Sequence, residues 1–272
     1  MKKLFLACAM TAVLTGCGSS GDTTATSATP AVTTASVSGY VADGYLRNAE
    51  IFLDKNGNFQ WDEGEPKTTS GPGGYYALTG FDPALMQYPV VARAIPGTTI
   101  DEDNLNQPIA NGYLLCAPAG STGFVSPIST LVQEKMAANP GMTLVDATAQ
   151  VRTELGLPER LNIMADYVAG SRPGQVDQAT YQTLHTMAQQ MVGLMASQSS
   201  QVMNGAGVDV VRYRAMVNGM NANLAGISQN ATTNAGMQST FMTTMRNNMQ
   251  NYLVSQTTTA TNAVVPYSRW SY

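Results

Sequence analysis

The stretch Leu53–Pro66, LDKNGNFQWDEGEP, gathers acidic and amide side chains in a chain that is otherwise poor in charge. Only 12% of the 272 residues are charged. Within the stretch, side chains that carry oxygen recur at every second residue from Asp54 to Asp62, and Glu65 adds a further carboxylate. Ligands at this spacing allow a short loop to wrap one hard cation such as Ca²⁺. We therefore predict a calcium-type metal loop, and the alternative is a polar turn whose acids face water.

Numbered from Asp54, the stretch follows the twelve-residue pattern of an EF-hand loop, which has oxygen ligands at positions 1, 3, 5, 7, 9 and 12. Residues of suitable type hold all of these positions: Asp54, Asn56, Asn58, Gln60, Asp62 and Glu65. Position 7 supplies a backbone carbonyl, so Gln60 is acceptable there. Because only three of the ligands carry charge, we expect weak affinity, with a dissociation constant on the order of 10⁻⁴ to 10⁻³ M.

Position 6 departs from the pattern, because Phe59 replaces the usual glycine. That glycine makes a sharp turn with positive φ, which a bulky residue tolerates poorly. Gly57, at position 4, offers another place for the turn, and the exact ligand set stays open for this reason. Trp61 takes position 8, where an apolar residue usually packs the loop. Crowded carboxylates repel one another unless a cation neutralises them, so a bound ion would have a structural role.

The sequence around the loop indicates strands, whereas an EF-hand loop lies between two helices. From Val37 to Gly80 it reads as strand, glycine turn, strand, acidic loop, turn and strand, VSGYVADGYLRNAEIFLDKNGNFQWDEGEPKTTSGPGGYYALTG. This segment resembles the calcium-binding β-sandwich modules of bacterial surface proteins, the repeat B-type domains, whose relatives include the carboxypeptidase-regulatory-like sandwiches. The resemblance implies a sandwich that carries a calcium loop. Residues Phe124 to Pro158 look like a helical extension that follows such modules in large exported bacterial proteins.

The first residues predict export. Lys2 and Lys3 precede a short apolar run, Leu4–Val13, which is too brief to span a bilayer and is typical of a signal peptide. The sequence LTGC that follows, ending at Cys17, resembles the bacterial lipobox. The resemblance implies a signal peptide at residues 1–16, lipidation of Cys17 and stable anchoring by several acyl chains. The alternative is an ordinary secretory peptide with a chance cysteine.

Residues 17–36 are expected to be a lipidated cysteine followed by a tether. Fourteen of the residues from 18 to 36 are Ser, Thr or Ala, and such a segment cannot bury enough apolar surface to fold. Gly18, rather than Asp, follows Cys17, which favours the outer membrane by resemblance to sorting rules in Gram-negative bacteria. The protein could then lie on the cell-surface face or on the periplasmic face of the outer membrane, and the sequence is consistent with both. Cys116 is then the one thiol without a predicted role, and its apolar surroundings, GYLLCAP, predict a small buried side chain.

The remaining chain predicts an α+β multidomain protein. Five short apolar or alternating runs separated by turn signals predict a small antiparallel β-sandwich at residues 37–120: VSGYVA, AEIFL, GYYALTG, YPVVARAI and NGYLLCAP. Helical spacing takes over at residues 121–256 and predicts a C-terminal α-helical bundle. About five helices are expected, with starts near Ser126, Thr143, Asp177, Asp209 and Asn234. Residues 257–272 form a tail without a clear period.

Several side chains outside the loop are further candidate sites. Asp101–Asn104 is an acidic run that we interpret as a solvated turn, with a supplementary cation site as the alternative. Met187, Met191 and Met195 share a helix face and are expected to pack in a core rather than to bind Cu(I). His185 is the one histidine, so a zinc site or a Ser-His-Asp arrangement lacks its parts. Ser126 and Ser129 are better explained as helix caps than as nucleophiles.

These patterns favour a binding or scaffold module over an enzyme. Removal of Lys2 and Lys3 with the signal peptide lowers the net charge from −4 to −6, and without a basic patch nucleic acid is not expected as a partner. We expect an outer-membrane lipoprotein with a structural calcium site and a protein or cell-surface partner. One alternative is a subunit of an extracellular assembly that uses the helical half and the aromatic tail. Another is an enzyme with an unrecognised site between the two domains.

Overall fold

A computed structural model describes residues 33–105 and 107–255. The described residues belong to one compact unit of mixed α+β structure. The predicted signal peptide, Cys17, most of the predicted tether and the tail at residues 257–272 lie outside the described residues. Among the described residues, no helix combines the length and the apolar character that crossing a membrane requires.

Nine strands occupy the first part of the described chain: β1 Ala35–Val41, β2 Leu46–Arg47, β3 Glu50–Leu53, β4 Lys67–Thr69, β5 Tyr75–Phe81, β6 Val90–Ala94, β7 Ile100–Asp101, β8 Tyr113–Ala117 and β9 Phe124–Val125. One sheet has the order β4-β3-β6-β8, and all its pairs are antiparallel. A second sheet has the order β5-β1-β9. The short strands β2 and β7 pair separately.

The five strands expected from the sequence are present, and two details differ from expectation. β1 begins at Ala35, so Ala35 and Ser36 pair with β5 although they were assigned to the tether. Pairing uses backbone groups, which small polar residues provide as well as apolar ones. β1 also pairs with β9 in parallel, Tyr40 with Phe124 and Val41 with Val125, so the second sheet is not wholly antiparallel.

Eight helices occur in the described chain: α1 Pro127–Ala138, α2 Leu144–Glu154, α3 Tyr167–Gly170, α4 Gln178–Ser197, α5 Ser199–Val202, α6 Val210–Asn221, α7 Leu224–Thr232 and α8 Thr240–Ser255. The last helix begins at Thr240 rather than near Asn234, because residue 234 is left-handed and Gly236 follows it with φ 68°. Leu224 continues the apolar spacing of the helix that starts after Asp209, but it begins a separate helix, α7. A hairpin of β10 Met203–Asn204 and β11 Gly207–Val208 interrupts the helical part.

Capping residues set several helix starts as expected. The Ser126 hydroxyl accepts from the Ser129 backbone N–H, and the Ser129 hydroxyl accepts from that of Ser126, which forms a reciprocal capping box at α1. Thr143 accepts from the Asp146 N–H at α2, and Asp209 accepts from the Arg212 N–H at α6. These bonds satisfy N–H groups that lack partners in the first helical turn.

Helix α1 packs directly on strand β8 through polar as well as apolar contacts. The Ser129 hydroxyl donates to the Cys116 carbonyl at 2.7 Å, and the Cys116 N–H donates to the Thr130 hydroxyl at 2.8 Å. Leu131 on the same helix is fully buried. Cys116 itself is buried, as its apolar surroundings predicted. Hydrogen bonds and buried apolar contacts therefore hold α1, the first helix of the helical part, against the sheet.

The apolar core is continuous between the strands and the helices. The Tyr167 hydroxyl at α3 donates to the Ala42 carbonyl at 2.9 Å, and the Tyr167 ring meets Phe124 edge-on with centroids 4.9 Å apart. Three methionines that share a face of α4 are all in this core, as expected for packing residues: Met187, Met191 and Met195. Strands and helices thus bury apolar surface against each other.

We predict that Leu131→Ala destabilises the strands and the helices together. Deleting a fully buried leucine side chain costs about 2–5 kcal/mol. Urea unfolding would be followed by far-UV circular dichroism for the helices and by Trp61 fluorescence for the β part, in a Trp270→Phe background. Both signals should shift to the same lower midpoint.

The control is Val145→Ala on α2, where the side chain is 76% exposed and the change should stay within about 0.5 kcal/mol. Two separate transitions in the Leu131→Ala variant, with only the helical signal shifted, would contradict the shared core.

Candidate metal centre

The predicted metal loop connects the two paired strands β3 and β4. Phe52 pairs with Lys67, and the Leu53 N–H donates to the Pro66 carbonyl at 3.2 Å. This antiparallel pairing brings the two ends of the loop, Asp54 and Glu65, next to each other. The loop is therefore closed by a sheet, where an EF-hand uses two helices, in agreement with the strand-like sequence on its flanks.

Asp54 anchors the first half of the loop. Its side chain is fully buried, and its two oxygens accept backbone N–H bonds from Gly57 at 2.8 Å and from Phe59 at 3.0 Å. These bonds turn the chain back around the carboxylate. They also hold the first predicted ligand inside the loop rather than toward solvent.

The middle ligands meet at Asp62. The side-chain amides of Asn56 and Asn58 donate to the same oxygen, Asp62 Oδ2, at 2.6 and 2.7 Å. The amide oxygen of Asn56 accepts from the Asn58 N–H, and that of Asn58 accepts from the Gln60 N–H. Each amide oxygen keeps a second lone pair in this arrangement. Gln60 takes part through its backbone N–H, and its side chain is half-buried.

Glu65 closes the loop with a buried carboxylate that is 8% exposed. Its oxygens accept from the Lys55 N–H at 2.7 Å and from the Asp62 N–H at 3.0 Å. Burial raises the pKa of Glu65 to about 7, and the charges of Asp54 and Asp62 add to the rise although the two backbone bonds oppose it. A negative charge at this position is therefore unfavourable without a nearby cation.

The turn stays at position 6 despite the missing glycine. Phe59 itself adopts a left-handed backbone with φ 59°, and Gly57 is left-handed as well, with φ 77°. Gly57 therefore does adopt a left-handed turn, as its position suggested, but Phe59 adopts one as well. Sequence reasoning missed what holds Phe59 there, although a bulky residue in a glycine position was itself a signal. Phe59 is also the buried apolar residue of the loop, at 2% exposed.

Trp61, expected to pack the loop from position 8, lies on its outer side and is 39% exposed. Its indole N–H donates to the Glu65 carbonyl at 2.9 Å, and the Lys67 ammonium lies 3.6 Å from its ring centroid. Lys67 also reaches Glu50 at 3.3 Å. Trp61 thus covers the last residues of the loop on the solvent side, and Phe59 is the apolar side chain on the buried side.

The six predicted ligands lie on one closed loop, and their chemistry fits a hard cation. Their donors are carboxylate, amide and backbone oxygens, the types that calcium prefers. Within residues 33–105 and 107–255, no group of three or more His, Cys, Asp or Glu side chains is positioned to hold a metal ion. Half of the predicted donors are amides or a backbone carbonyl, so the three carboxylates of the loop need not converge by themselves.

The acidic run Asp101–Asn104 is more than the solvated turn that we expected. His185 on α4 places Nε2 2.8 Å from Asp103 Oδ2, an ion-pair distance, although the ring N–H is not aligned for a hydrogen bond. The contact lowers the pKa of Asp103. Asp43 Oδ2 accepts from the Tyr113 hydroxyl at 3.1 Å, and burial followed by the charge of Asp101 raises the Asp43 pKa.

No protein-family model, curated protein or solved structure matches this chain significantly.

We predict that the stability of the metal-free protein falls as pH rises from about 4.5 to about 7, in part because of Glu65. The folded state holds the Glu65 proton more tightly than the unfolded chain does, so folding is favoured below this window and the advantage is lost above it. Glu65→Gln should reduce the stability lost between about pH 5 and pH 8 by about 1–3 kcal/mol. Urea midpoints in excess chelator would measure this.

Glu63→Gln is the matched control, because Glu63 is an exposed neighbour in the same loop. Part of the pH dependence should survive in both variants, since burial also raises the pKa of Glu134 to about 7. An unchanged slope in Glu65→Gln would show that the Glu65 carboxyl is not penalised in the fold.

Proposed function

We propose that this chain is a bacterial outer-membrane lipoprotein, anchored through Cys17, whose folded part is a calcium-stabilised binding or scaffold module. The observation that carries the calcium proposal is the closed loop between β3 and β4. There burial raises the pKa of Glu65 to about 7, and the charges of Asp54 and Asp62 add to the rise. The lipobox resemblance at Cys17 and the Ser/Thr/Ala-rich tether support the anchoring.

Ca²⁺ would be held by the side chains of five residues and the backbone of a sixth: Asp54, Asn56, Asn58, Asp62, Glu65 and Gln60. Its contribution is positive charge, which stabilises the ionised form of buried carboxylates and so lowers their pKa values. The chain's own part is to present these oxygens from a loop that the strand pairing and the Asp54 bonds already hold in shape. Calcium binding then links the loop's two ends and stabilises the β3–β4 pair.

For the architecture, we propose a calcium-binding β-sandwich of repeat B-type character followed by a helical bundle. Two sheets of four and three strands support this arrangement, and the acidic loop connects β3 and β4 within the four-stranded sheet. The helices follow the strands in the chain order, and α1 packs on β8. The resemblance of residues 124–158 to helical extensions of exported proteins supports the same layout.

The helical part is proposed to bind the protein or cell-surface partner. A cleft of about 620 Å³ lies between α6 and α8, with apolar lining from Ala215, Gly219, Phe241, Met245 and Met249. Exposed apolar side chains at Tyr252 and Val254 continue along α8. Exposed apolar grooves of this kind mark sites where proteins or small molecules bind. Assembly into an extracellular complex through this face is the second candidate function.

We predict that the mature protein binds one Ca²⁺ with a dissociation constant on the order of 10⁻⁴ to 10⁻³ M. Isothermal titration in detergent would measure it. At about 10 mM Ca²⁺ the free energy of unfolding should rise by about 1–3 kcal/mol relative to chelator. Asp62→Asn should weaken binding by about tenfold, because it removes one of the three charged ligands.

Glu159→Gln serves as the control, since Glu159 is an exposed acid outside the loop, and it should leave both the affinity and the stabilisation unchanged. The proposal fails if about 10 mM Ca²⁺ gives neither binding heat nor a higher urea midpoint.

We predict that Cys17→Ser abolishes lipidation and moves the protein from the membrane to the soluble fraction. Metabolic labelling with palmitate, followed by fractionation, would show both effects. Cys8→Ser, within the predicted signal peptide, is the matched control and should retain label and membrane association. Equal labelling of the Cys17→Ser variant and the unaltered protein would refute the lipobox assignment.

A further inference from the structure

The ring of Phe59 joins the metal loop to helix α6. It is 2% exposed, and its centroid lies 4.4 Å from that of Tyr213, with the ring planes tilted by 52°. The guanidinium carbon of Arg214 lies 5.6 Å from the Phe59 centroid. Aromatic pairs at such a separation contribute beyond the apolar area they bury, so the side chain of Phe59 is held from the helix side.

The backbone of Phe59 is held in a conformation that its side chain disfavours. Its φ of 59° is left-handed, which glycine tolerates freely and a bulky residue does not. In this conformation its N–H donates to Asp54 Oδ2 at 3.0 Å. The unfavourable backbone and the first ligand of the loop are thus connected by one hydrogen bond, and the buried ring is what opposes relaxation of that backbone.

The part of helix α6 that contacts the Phe59 ring is itself held in place by neighbouring elements. The Tyr213 hydroxyl reaches the Leu114 carbonyl of β8 at 3.4 Å, and Tyr213 is buried. The buried Glu134 of α1 lies in the field of Arg214 and accepts from the Asn218 amide at 3.5 Å. Contacts from β8 and α1 therefore set the position of the residues that meet Phe59.

We propose that Phe59 is a positioning residue of the metal loop: α6 holds its ring, and the ring fixes the left-handed backbone that aims the Phe59 N–H at Asp54. This inference rests on the proposed calcium binding. Coupling between two parts of a molecule is reciprocal, so calcium in the loop also stabilises α6. The helix whose other side lines the α6–α8 cleft then responds to the ion.

Phe59→Gly separates this proposal from a simpler one. If position 6 needs only an easy left-handed turn, glycine should bind Ca²⁺ as tightly as phenylalanine or more tightly, since glycine is the usual residue there. If the ring positions the loop, glycine should weaken binding about threefold to tenfold through loss of the aromatic contact. Isothermal titration with Ca²⁺ decides between them, and equal or tighter binding by Phe59→Gly would overturn the proposal.

Changes at Tyr213 test the same contact from outside the loop. Tyr213→Leu removes the partner ring and should weaken Ca²⁺ binding, whereas Tyr213→Phe keeps the ring and should bind within about twofold of the unaltered protein. Tyr76→Leu is the matched control, because Tyr76 is equally buried on β5 and bonds to the Thr122 carbonyl. It should lower the stability without changing the affinity of the folded protein.

Amide hydrogen exchange tests the coupling between the loop and α6 in the unaltered protein, so the result does not depend on the folding of a variant. Added Ca²⁺ should slow amide exchange in residues 54–65 and also in α6, with α2 unchanged as an internal reference. Protection confined to the loop, with binding heat present, would overturn the coupling to α6 and leave the calcium proposal standing. No protection in the loop and no binding heat would overturn both.

Discussion

The antiparallel pairing of β3 with β4 is the constraint on which the acidic loop depends. It places Asp54 and Glu65 side by side, so negative charges that lie eleven residues apart along the chain must share one small volume. The protein meets part of that cost with hydrogen bonds from its own backbone, two to Asp54 and two to Glu65. Burial still raises the pKa of Glu65 to about 7, which shows that these bonds do not fully replace water.

The same loop depends on the helices, because its buried apolar side chain, Phe59, leaves the loop and enters the core. Phe59 packs against Tyr213, and Tyr213 reaches the carbonyl of Leu114 on β8. The path from the loop to the helix and back to the sheet is short and fully buried. Strands and helices therefore stabilise one another. Because contributions of contacting residues are not additive, the free energy of folding cannot be split into a strand part and a helix part.

Sequence reasoning succeeded where a pattern is local. The alternating runs predicted β1, β3, β5, β6 and β8, and the caps at Ser126, Thr143 and Asp209 predicted three helix starts. Strands of two residues, such as β2 and β7, are too short to show an alternation of apolar and polar residues, so the sequence did not predict them. The split between α6 and α7 was missed for a related reason, since Leu224 continues the apolar spacing of the helix before it.

Contacts between residues far apart in the chain were beyond the same reasoning. Nothing in the sequence near His185 indicates that α4 brings it to Asp103, and nothing near Phe59 indicates Tyr213. For the metal loop, the sequence predicted the spacing of the oxygen-bearing side chains, and the structure adds the hydrogen bonds that each side chain makes. Asn56 and Asn58 each accept from a backbone N–H two residues onward, a local turn that their side chains favour.

The two acidic clusters of this chain reach different electrostatic solutions, and the difference explains why only one is proposed as an ion site. Around Asp43 and Asp103, side chains supply the polar contacts: the Tyr113 hydroxyl donates to Asp43, the Gln189 amide donates to Asp103, and His185 Nε2 lies 2.8 Å from Asp103. Burial favours the protonated form of Asp43 as well. In the loop, Asp54 and Glu65 both accept bonds from backbone N–H groups, and burial nevertheless raises the pKa of Glu65 to about 7. A cation bound beside Glu65 would stabilise its ionised form, which is why the loop is proposed as the ion site.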